Sequence, residues 1–272
     1  MKKILLGAAV AMLGIAPALA ADMAPRYTKA PPPMVAAVYS WTGFYIGGNV
    51  GYGWYDRNST LVAPDAASVA FFGPALAVGA LPSVYAVNPR GAIGGGQVGY
   101  NWQAGMWVFG VEADIQGADV KGSTTLANAG IGGFVPITAT ATEKLDWFGT
   151  ARGRVGFAAN TALFYVTGGL AYGRVSHSFF TAAAAVGQSA FGSDAQVDVG
   201  YTVGAGVEWA FNNNWSVKGE YLYMDLGNHS TTAFGITGTP AAATLVLRTH
   251  EQYNIVRVGL NYKWGGPVVA RY

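Results

Sequence analysis

Three places in this chain set a histidine beside a hydroxyl or a carboxylate: His177-Ser178, His229-Ser230 and His250-Glu251. An imidazole next to a serine is the raw material of nucleophilic catalysis, because the ring can take the hydroxyl proton when the two groups meet within hydrogen-bond reach. Neighbours in an extended segment point to opposite faces, so none of the pairs meets that condition within itself. All three fall at strand ends or in the connections expected between strands. No reaction is assigned to them, and the chain is read as a non-enzyme. No spacing of metal ligands appears, cysteine is absent, and the glycines of GAIGGGQVG sit within a strand pattern rather than at a strand-to-helix turn. No cofactor is expected.

A second set of candidates is ionic. Glu112, Asp114, Asp146, Glu208 and Glu220 oppose Arg152, Arg154, Lys218, Arg257 and Lys263, five of each sign, all on the polar parity of alternating segments. Counting rungs from the tight-turn ends puts Glu112 near Arg152 and Arg154, Glu208 level with Lys218, and Glu220 near Arg257. Such groups can join neighbouring strands through charge-assisted hydrogen bonds. Two roles are open to them: a plug that satisfies a polar interior, or a gate whose pairs exchange to pass ions.

The elements that position these charges are strands with two different faces. In the last of them, NIVRVGLNYKW (254–264), Val256, Val258, Leu260, Tyr262 and Trp264 alternate with Ile255, Arg257, Gly259, Asn261 and Lys263. The segments 43–54, 91–102, 107–116, 145–158, 162–172, 199–211 and one from Trp215 repeat this grammar. A greasy face closed by aromatics, with charges on the opposite face, is what a barrel bathed in lipid requires. Three connections are tight turns, while 55–90, 119–143, 177–197 and 228–249 are long. The expected fold is therefore all-β, an eight-stranded antiparallel transmembrane β-barrel with short periplasmic turns and four long extracellular loops. An interior of that size is just wide enough for side chains to fill, which favours the plug. Tryptophans sort accordingly. Trp41, Trp102, Trp107, Trp209, Trp215 and Trp264 fall at the tight-turn or terminal end and Trp54 and Trp147 at the loop end, as two membrane-interface girdles would place them.

Targeting and composition agree. Lys2 and Lys3, an apolar run from Ile4 to Ala16, and Ala18-Leu19-Ala20 read as a secretory signal (1–20) cut after Ala20. A proline-rich periplasmic linker (21–38) follows, then the barrel (39–264) and a C-terminal tail (265–272). Charged residues are only 11% of the chain, against roughly 25% in soluble proteins. The 16 basic residues less Lys2 and Lys3 equal the 14 acidic ones, so the processed chain is formally neutral and no nucleic-acid partner is implied. The absence of cysteine suits passage through an oxidising periplasm. The expected site is the outer membrane of a Gram-negative bacterium. The expected partners are outer-membrane lipids, the outer-membrane assembly machinery, and lipopolysaccharide or a host surface through the loops.

The first long loop is unusual. Residues 61–87 are mostly apolar where an external loop should be polar. Either this segment folds over the barrel mouth or extends the flanking strands, or it is a contact surface for a partner.

The segments YSWTGFYIGGNVGYGW, WFGTARGRVGFA, YVTGGLAYG, VGAGVEWAFNNNWSVKGEYLYMDLG and VRVGLNYKW resemble the outer-membrane immunogenic, porin-family proteins of alpha-proteobacteria. The resemblance spans nearly the whole processed chain except the long loops. It implies an OmpA-like small barrel, abundant at the cell surface and linked to envelope integrity and host recognition. The chain departs from the usual outer-membrane ending, since GGPVVARY follows Trp264, and either Trp264 or Tyr272 serves as the assembly signal. The leading expectation is a structural surface barrel. A channel for small or hydrophobic solutes and a loop-mediated adhesin are the alternatives.

Overall fold

A computed structural model describes residues 39–264 apart from 239 and 241. The expected signal, linker and tail lie outside the described residues. Ten strands and one α-helix follow in the order β1 (Gly43–Trp54), β2 (Arg57–Val62), α1 (Ala66–Ala77), β3 (Val84–Val87), β4 (Arg90–Ala104), β5 (Trp107–Asn128), β6 (Ile137–Ala159), β7 (Ala162–Ala183), β8 (Gln188–Ala210), β9 (Trp215–Thr237) and β10 (Thr244–Lys263). Eight of them pair in the ring β1-β4-β5-β6-β7-β8-β9-β10, and β1 closes it against β10. Each pairing is antiparallel, with Val50 opposite both Gly94 and Val258 at the closure. Lipid permits such a ring because every strand edge inside the membrane finds a partner.

Burial follows the alternation of residue types. Phe44, Ile46 and Val50 face out while Tyr45 and Asn49 are buried in the lumen. The same holds at the other end of the chain, where Val256, Val258 and Leu260 are exposed and Ile255, Arg257 and Asn261 are buried. Tight turns close the periplasmic side. Gly105, with φ 63°, turns β4 into β5, and Asn160, with φ 58°, turns β6 into β7. At Asn212–Asn214 the turn is made without a positive φ. There the Asn212 carbonyl accepts from the backbone N–H groups of Asn214 and Trp215 at 2.9 and 2.7 Å, so a side chain shapes the turn.

The long loops are mostly strand. β5 to β10 run 20 to 23 residues each, whereas about 9–11 tilted residues cross a bilayer. On β6 the aromatics Phe157 and Trp147 bracket the spanning part, and the remaining half projects from the cell. The expected loops 119–143, 177–197 and 228–249 therefore shrink to connections at 129–136, 184–187 and 238–243. Small residues hid these extensions. In ITATAT (137–142) the buried positions are Ala139 and Ala141, which differ too little from threonine to stand out as an inner face.

The first loop folds into the mouth. β2 pairs with the projecting part of β10 through Leu61–Leu247, and β3 pairs with β2. Asp65 caps α1 by accepting from the Ser68 N–H at 2.9 Å. Phe72, Leu81, Tyr85 and Val87 then pack on Ala139, Ala141, Phe179, Leu245 and Leu247 of the inner wall.

Seven of the eight tryptophans stand on the outward parity of the wall; Trp102, Trp107, Trp209 and Trp264 are more than half exposed. Trp41 is a correction. It is 1% exposed, precedes β1, and lies inside the periplasmic end with Val108, Leu163 and Tyr165, its indole N–H donating to the Asn160 carbonyl at 3.3 Å. Residues before the first strand are not bound by its parity, and the chain enters the lumen there instead of following the outer face.

The lumen as candidate functional site

Eight of the ten expected charges meet in the lumen. Glu112 and Asp114 on β5, Arg152 and Arg154 on β6, Glu208 on β8, Lys218 and Glu220 on β9, and Arg257 on β10 are all 5% exposed or less. Arg152 is the hub: its Nη2 lies 2.5 Å from Glu112 and 3.0 Å from Asp114, and its Nη1 lies 3.1 Å from Glu220. Arg257 reaches Glu220 at 2.6 Å and Asp114 at 3.0 Å. Arg154 bonds Glu208 at 3.2 Å and the Asn101 carbonyl at 2.8 Å. Four carboxylates and four cations balance, so the cluster is neutral and each carboxylate is paired with at least one cation in a water-poor space.

The hydroxyls that complete this set carry little signal in the sequence beyond their inward parity. Tyr45 donates to Glu112 at 2.7 Å, Tyr165 to Glu220 at 3.0 Å, Thr150 to Asp114 at 2.8 Å and Ser216 to Glu208 at 2.5 Å. The Arg154 guanidinium lies between the Tyr45 and Tyr165 rings, 4.9 and 5.1 Å from their centroids.

Two expected members are elsewhere. Asp146 sits at the register shift between Leu145 and Trp147, where one residue has no partner in the ladder. The bulge turns it away from the lumen, and it pairs with the exposed Lys144 at 2.5 Å and accepts from Ser176 at 2.8 Å. Lys263 is at the periplasmic rim, donating to the Ser40 carbonyl with its ammonium 4.3 Å from the Tyr39 ring.

Above the network the lumen is apolar again, filled by Phe148, Leu222, Met224, Tyr253 and Ile255. Higher still, beyond the girdle marked by Trp147 and Tyr172, lies a buried cluster that inspection of neighbouring residues missed. His177 and His229 are 2% and 1% exposed, and their rings stack with centroids 4.2 Å apart. His177 Nε2 stands 3.1 Å from Glu251, and Tyr253 donates to Glu251 at 2.6 Å. Ser59 donates to Glu143 at 2.5 Å and Thr249 does so at 3.3 Å. His229 lies 3.1 Å from both Asp194 and Asp198. These contacts close the part of the β8–β9 seam between Phe191 and Tyr201 where the ladder is interrupted. His177 and His229 are thus interior groups of the projecting barrel, whereas His250 is partly exposed with its Nε2 3.1 Å from Asp225, and Ser178 and Ser230 do not share the face of the stacked rings.

Burial and the neighbouring Glu251 charge push the Glu143 carboxyl up to about 7. His177 is disfavoured as a cation by burial, but its contact with Glu251 and the charges of Glu251 and Glu143 outweigh that and raise it. Among the described residues no group of three or more histidine, aspartate or glutamate side chains is arranged to hold a metal ion.

The profile of the family described as outer membrane protein beta-barrel domain matches residues 6–238. The chain belongs to that family. Its relatives include the 31 kDa outer-membrane immunogenic protein of Brucella melitensis, 37% identical over 269 residues, covering 97% of this chain and all of that one. The 22 kDa outer membrane protein of Rhizobium leguminosarum is 35% identical over 190 residues, covering 68% of this chain and 64% of that protein. Among solved structures, the outer membrane protein OprG from Pseudomonas aeruginosa aligns over 84% of this chain and 99% of its own at 14% identity, with a TM-score of 0.48. That likeness is too loose to transfer any property. The protein is an outer-membrane β-barrel whose relatives include proteins named outer-membrane immunogenic proteins.

Proposed function

We propose that this outer-membrane barrel is a structural and surface-exposed protein that keeps its lumen closed, contributes to envelope integrity, and interacts with the surroundings through its projecting half. The observation that carries this reading is the succession of fillings along the lumen. Trp41 and its neighbours occupy the periplasmic end, the eight-charge network comes next, then the Phe148 and Tyr253 layer, the histidine cluster and finally the first loop. A gate would need pairs that separate at low cost. Here each carboxylate of the network is held by at least two donors, and removing one partner strands the others in a low-dielectric space.

The β8–β9 interruption is the feature that most favours the alternative of solute passage, yet His229, Asp194, Gln196 and Asp198 fill it. Planar-bilayer recording of the refolded protein decides between the two. Brief, small events or none are expected at neutral pH, and large, long-lived open steps would overturn the closed lumen. Lipopolysaccharide and the assembly machinery belong to this reading as envelope partners, engaged from the projecting half and from the C-terminal end.

A further inference from the structure

Every long strand passes through three tiers above the membrane centre. On β7 the order is Tyr172, then Arg174 and His177, then the uncharged stretch from Ser178 to Ala183; on β6 it is Trp147, then Asp146, Lys144 and Glu143, then Thr142 to Ile137. β8, β9 and β10 repeat it with Asp198 and Asp194, Asp225 and His229, and Glu251 and Arg248. Above this charged belt, residues 66–89, 122–142, 178–193 and 230–247 contain no Asp, Glu, Lys, Arg or His. Apart from Asp65, the exposed N-cap of α1, the outermost crown of the molecule is therefore uncharged.

A crown standing in water would carry charges of both signs. This one exposes hydrocarbon instead. Phe180, Phe191 and Phe234 lie abreast on the outer face of three consecutive strands, and they are 42%, 43% and 59% exposed. Phe180 is eight residues beyond the girdle residue Tyr172, or roughly 26 Å along the strand, so the lipid that surrounds the barrel does not cover it. α1 is apolar on all sides, AASVAFFGPALA, yet only Ser68, Phe72 and Ala75 are buried. A helix apolar all round normally has apolar surroundings all round. Beside it a cleft of about 190 Å³, lined by Phe71, Phe72, Leu81 and Phe134, opens against the β7–β8 hairpin and is wide enough for the end of one acyl chain.

We infer that this crown, free of basic side chains, is a docking surface for a second lipid bilayer, entered by α1 and the Phe180, Phe191 and Phe234 row without any requirement for headgroup charge. The absence of basic side chains, with Asp65 at the α1 N-cap as the single charge, selects this occupant. Lysine or arginine would mark attraction to anionic lipid, and a protein partner would ordinarily be met by a polar, partly charged rim. The inference rests on the projecting half facing outward, as in the proposed function, and is independent of whether the lumen is closed.

The test uses the whole processed chain refolded into nanodiscs and mixed with phosphatidylcholine vesicles on a flotation gradient, with empty discs as the control. Loaded discs are expected to float with the vesicles while empty discs do not, and to do so equally at high salt. Val69→Asp, and separately Phe180→Asp with Phe191→Asp and Phe234→Asp, are expected to weaken flotation by about tenfold or more. The heat-resistant gel mobility of the folded barrel should persist in both. Loaded discs that stay unbound, that bind only at low salt, or that pair with each other by mass photometry instead of binding vesicles would each overturn the inference. So would folded aspartate variants that float like the parent. A conducting barrel whose discs still float would sink the closed lumen and leave the crown standing.

Discussion

Lys218 stands directly opposite Glu208 in the β8–β9 ladder, yet its ammonium bonds to Glu112 on β5, at 2.9 and 3.0 Å. Adjacent rungs on neighbouring strands do not guarantee side-chain pairing in a narrow barrel, because the opposite wall is as near as the next strand. Glu208 is occupied by Arg154, Ser216 and Asn261 instead. Glu112 also receives Arg152 and Tyr45, so it holds donors from three strands. Glu112→Gln is therefore expected to destabilise the barrel by about 3–5 kcal/mol, since Lys218 loses its carboxylate while buried. Lys218→Met leaves Glu112 with Arg152 and should cost roughly half as much. Urea unfolding in lipid vesicles, followed by tryptophan fluorescence, measures both, and equal costs would show that the cross-barrel bond is not formed.

Trp41 and Trp102 occupy opposite sides of the wall, 1% and 60% exposed. Bromine on the acyl chains quenches indoles it touches, so Trp102→Phe should remove quenchable emission and Trp41→Phe should remove emission that bromolipid leaves untouched. Equal quenching of the two components would return Trp41 to the girdle.

The spanning half of the fold was legible because lipid imposes the sharpest contrast a strand can carry: Val258 beside Arg257, Val111 beside Glu112. Beyond the girdle the contrast fades. Ala139, Ala141, Thr181 and Thr231 point inward among threonines and alanines that point outward, so the projecting strands looked like loops. The site was legible in membership and less so in pairing. Parity identifies which charges face the lumen, but the bulge at Asp146 and the cross-barrel reach of Lys218 are consequences of closure in three dimensions. The stacked histidines come from strands β7 and β9, 52 residues apart, and no short-range pattern brings them together.

Two lumen rings pack closely against glycines, Tyr45 on Gly99 and Tyr165 on Gly206, and Tyr165 shows why the glycine is needed. A Cβ on Gly206 would come within 2.5 Å of the Tyr165 hydroxyl and 2.8 Å of the Gly219 carbonyl. Gly206→Ala must therefore push Tyr165 away from Glu220 and disturb its stacking on Arg154. The expected cost is about 1–3 kcal/mol. Gly105→Ala is governed by a different cause, since nothing lies within 4 Å but φ is positive, and its cost should be smaller, about 1 kcal/mol. Comparison of the two variants by the same unfolding assay separates lumen packing from turn conformation, and a Gly206→Ala barrel as stable as the parent would show that Tyr165 can move freely.

Acid should tighten the projecting half. Glu143, whose carboxyl is raised from 4.5 to about 7, has Ser59 and Thr249 as its donors and Glu251 and His177 as its charged neighbours. A carboxyl raised on folding contributes stability that is complete below its unfolded value and is lost as pH rises through its folded value. The loss for Glu143 therefore runs between about 4.5 and about 7 and amounts to about 3 kcal/mol of local stability. His177 is likewise raised, from 6.5, so its contact with Glu251 is complete below 6.5 and is lost as pH climbs through its higher folded value. The two effects have the same sign. Hydrogen exchange of 139–145, 175–179 and 249–253, corrected for intrinsic rates, should show more protection at pH 5 than at pH 8. Glu143→Gln should remove the part of the difference that develops below about 7 and leave a smaller His177 part, held up by Glu251 without the Glu143 charge. Protection that is flat with pH in the parent, or that rises towards pH 8, would mean that Glu143 reaches water and that the histidine layer does not hold the upper barrel together.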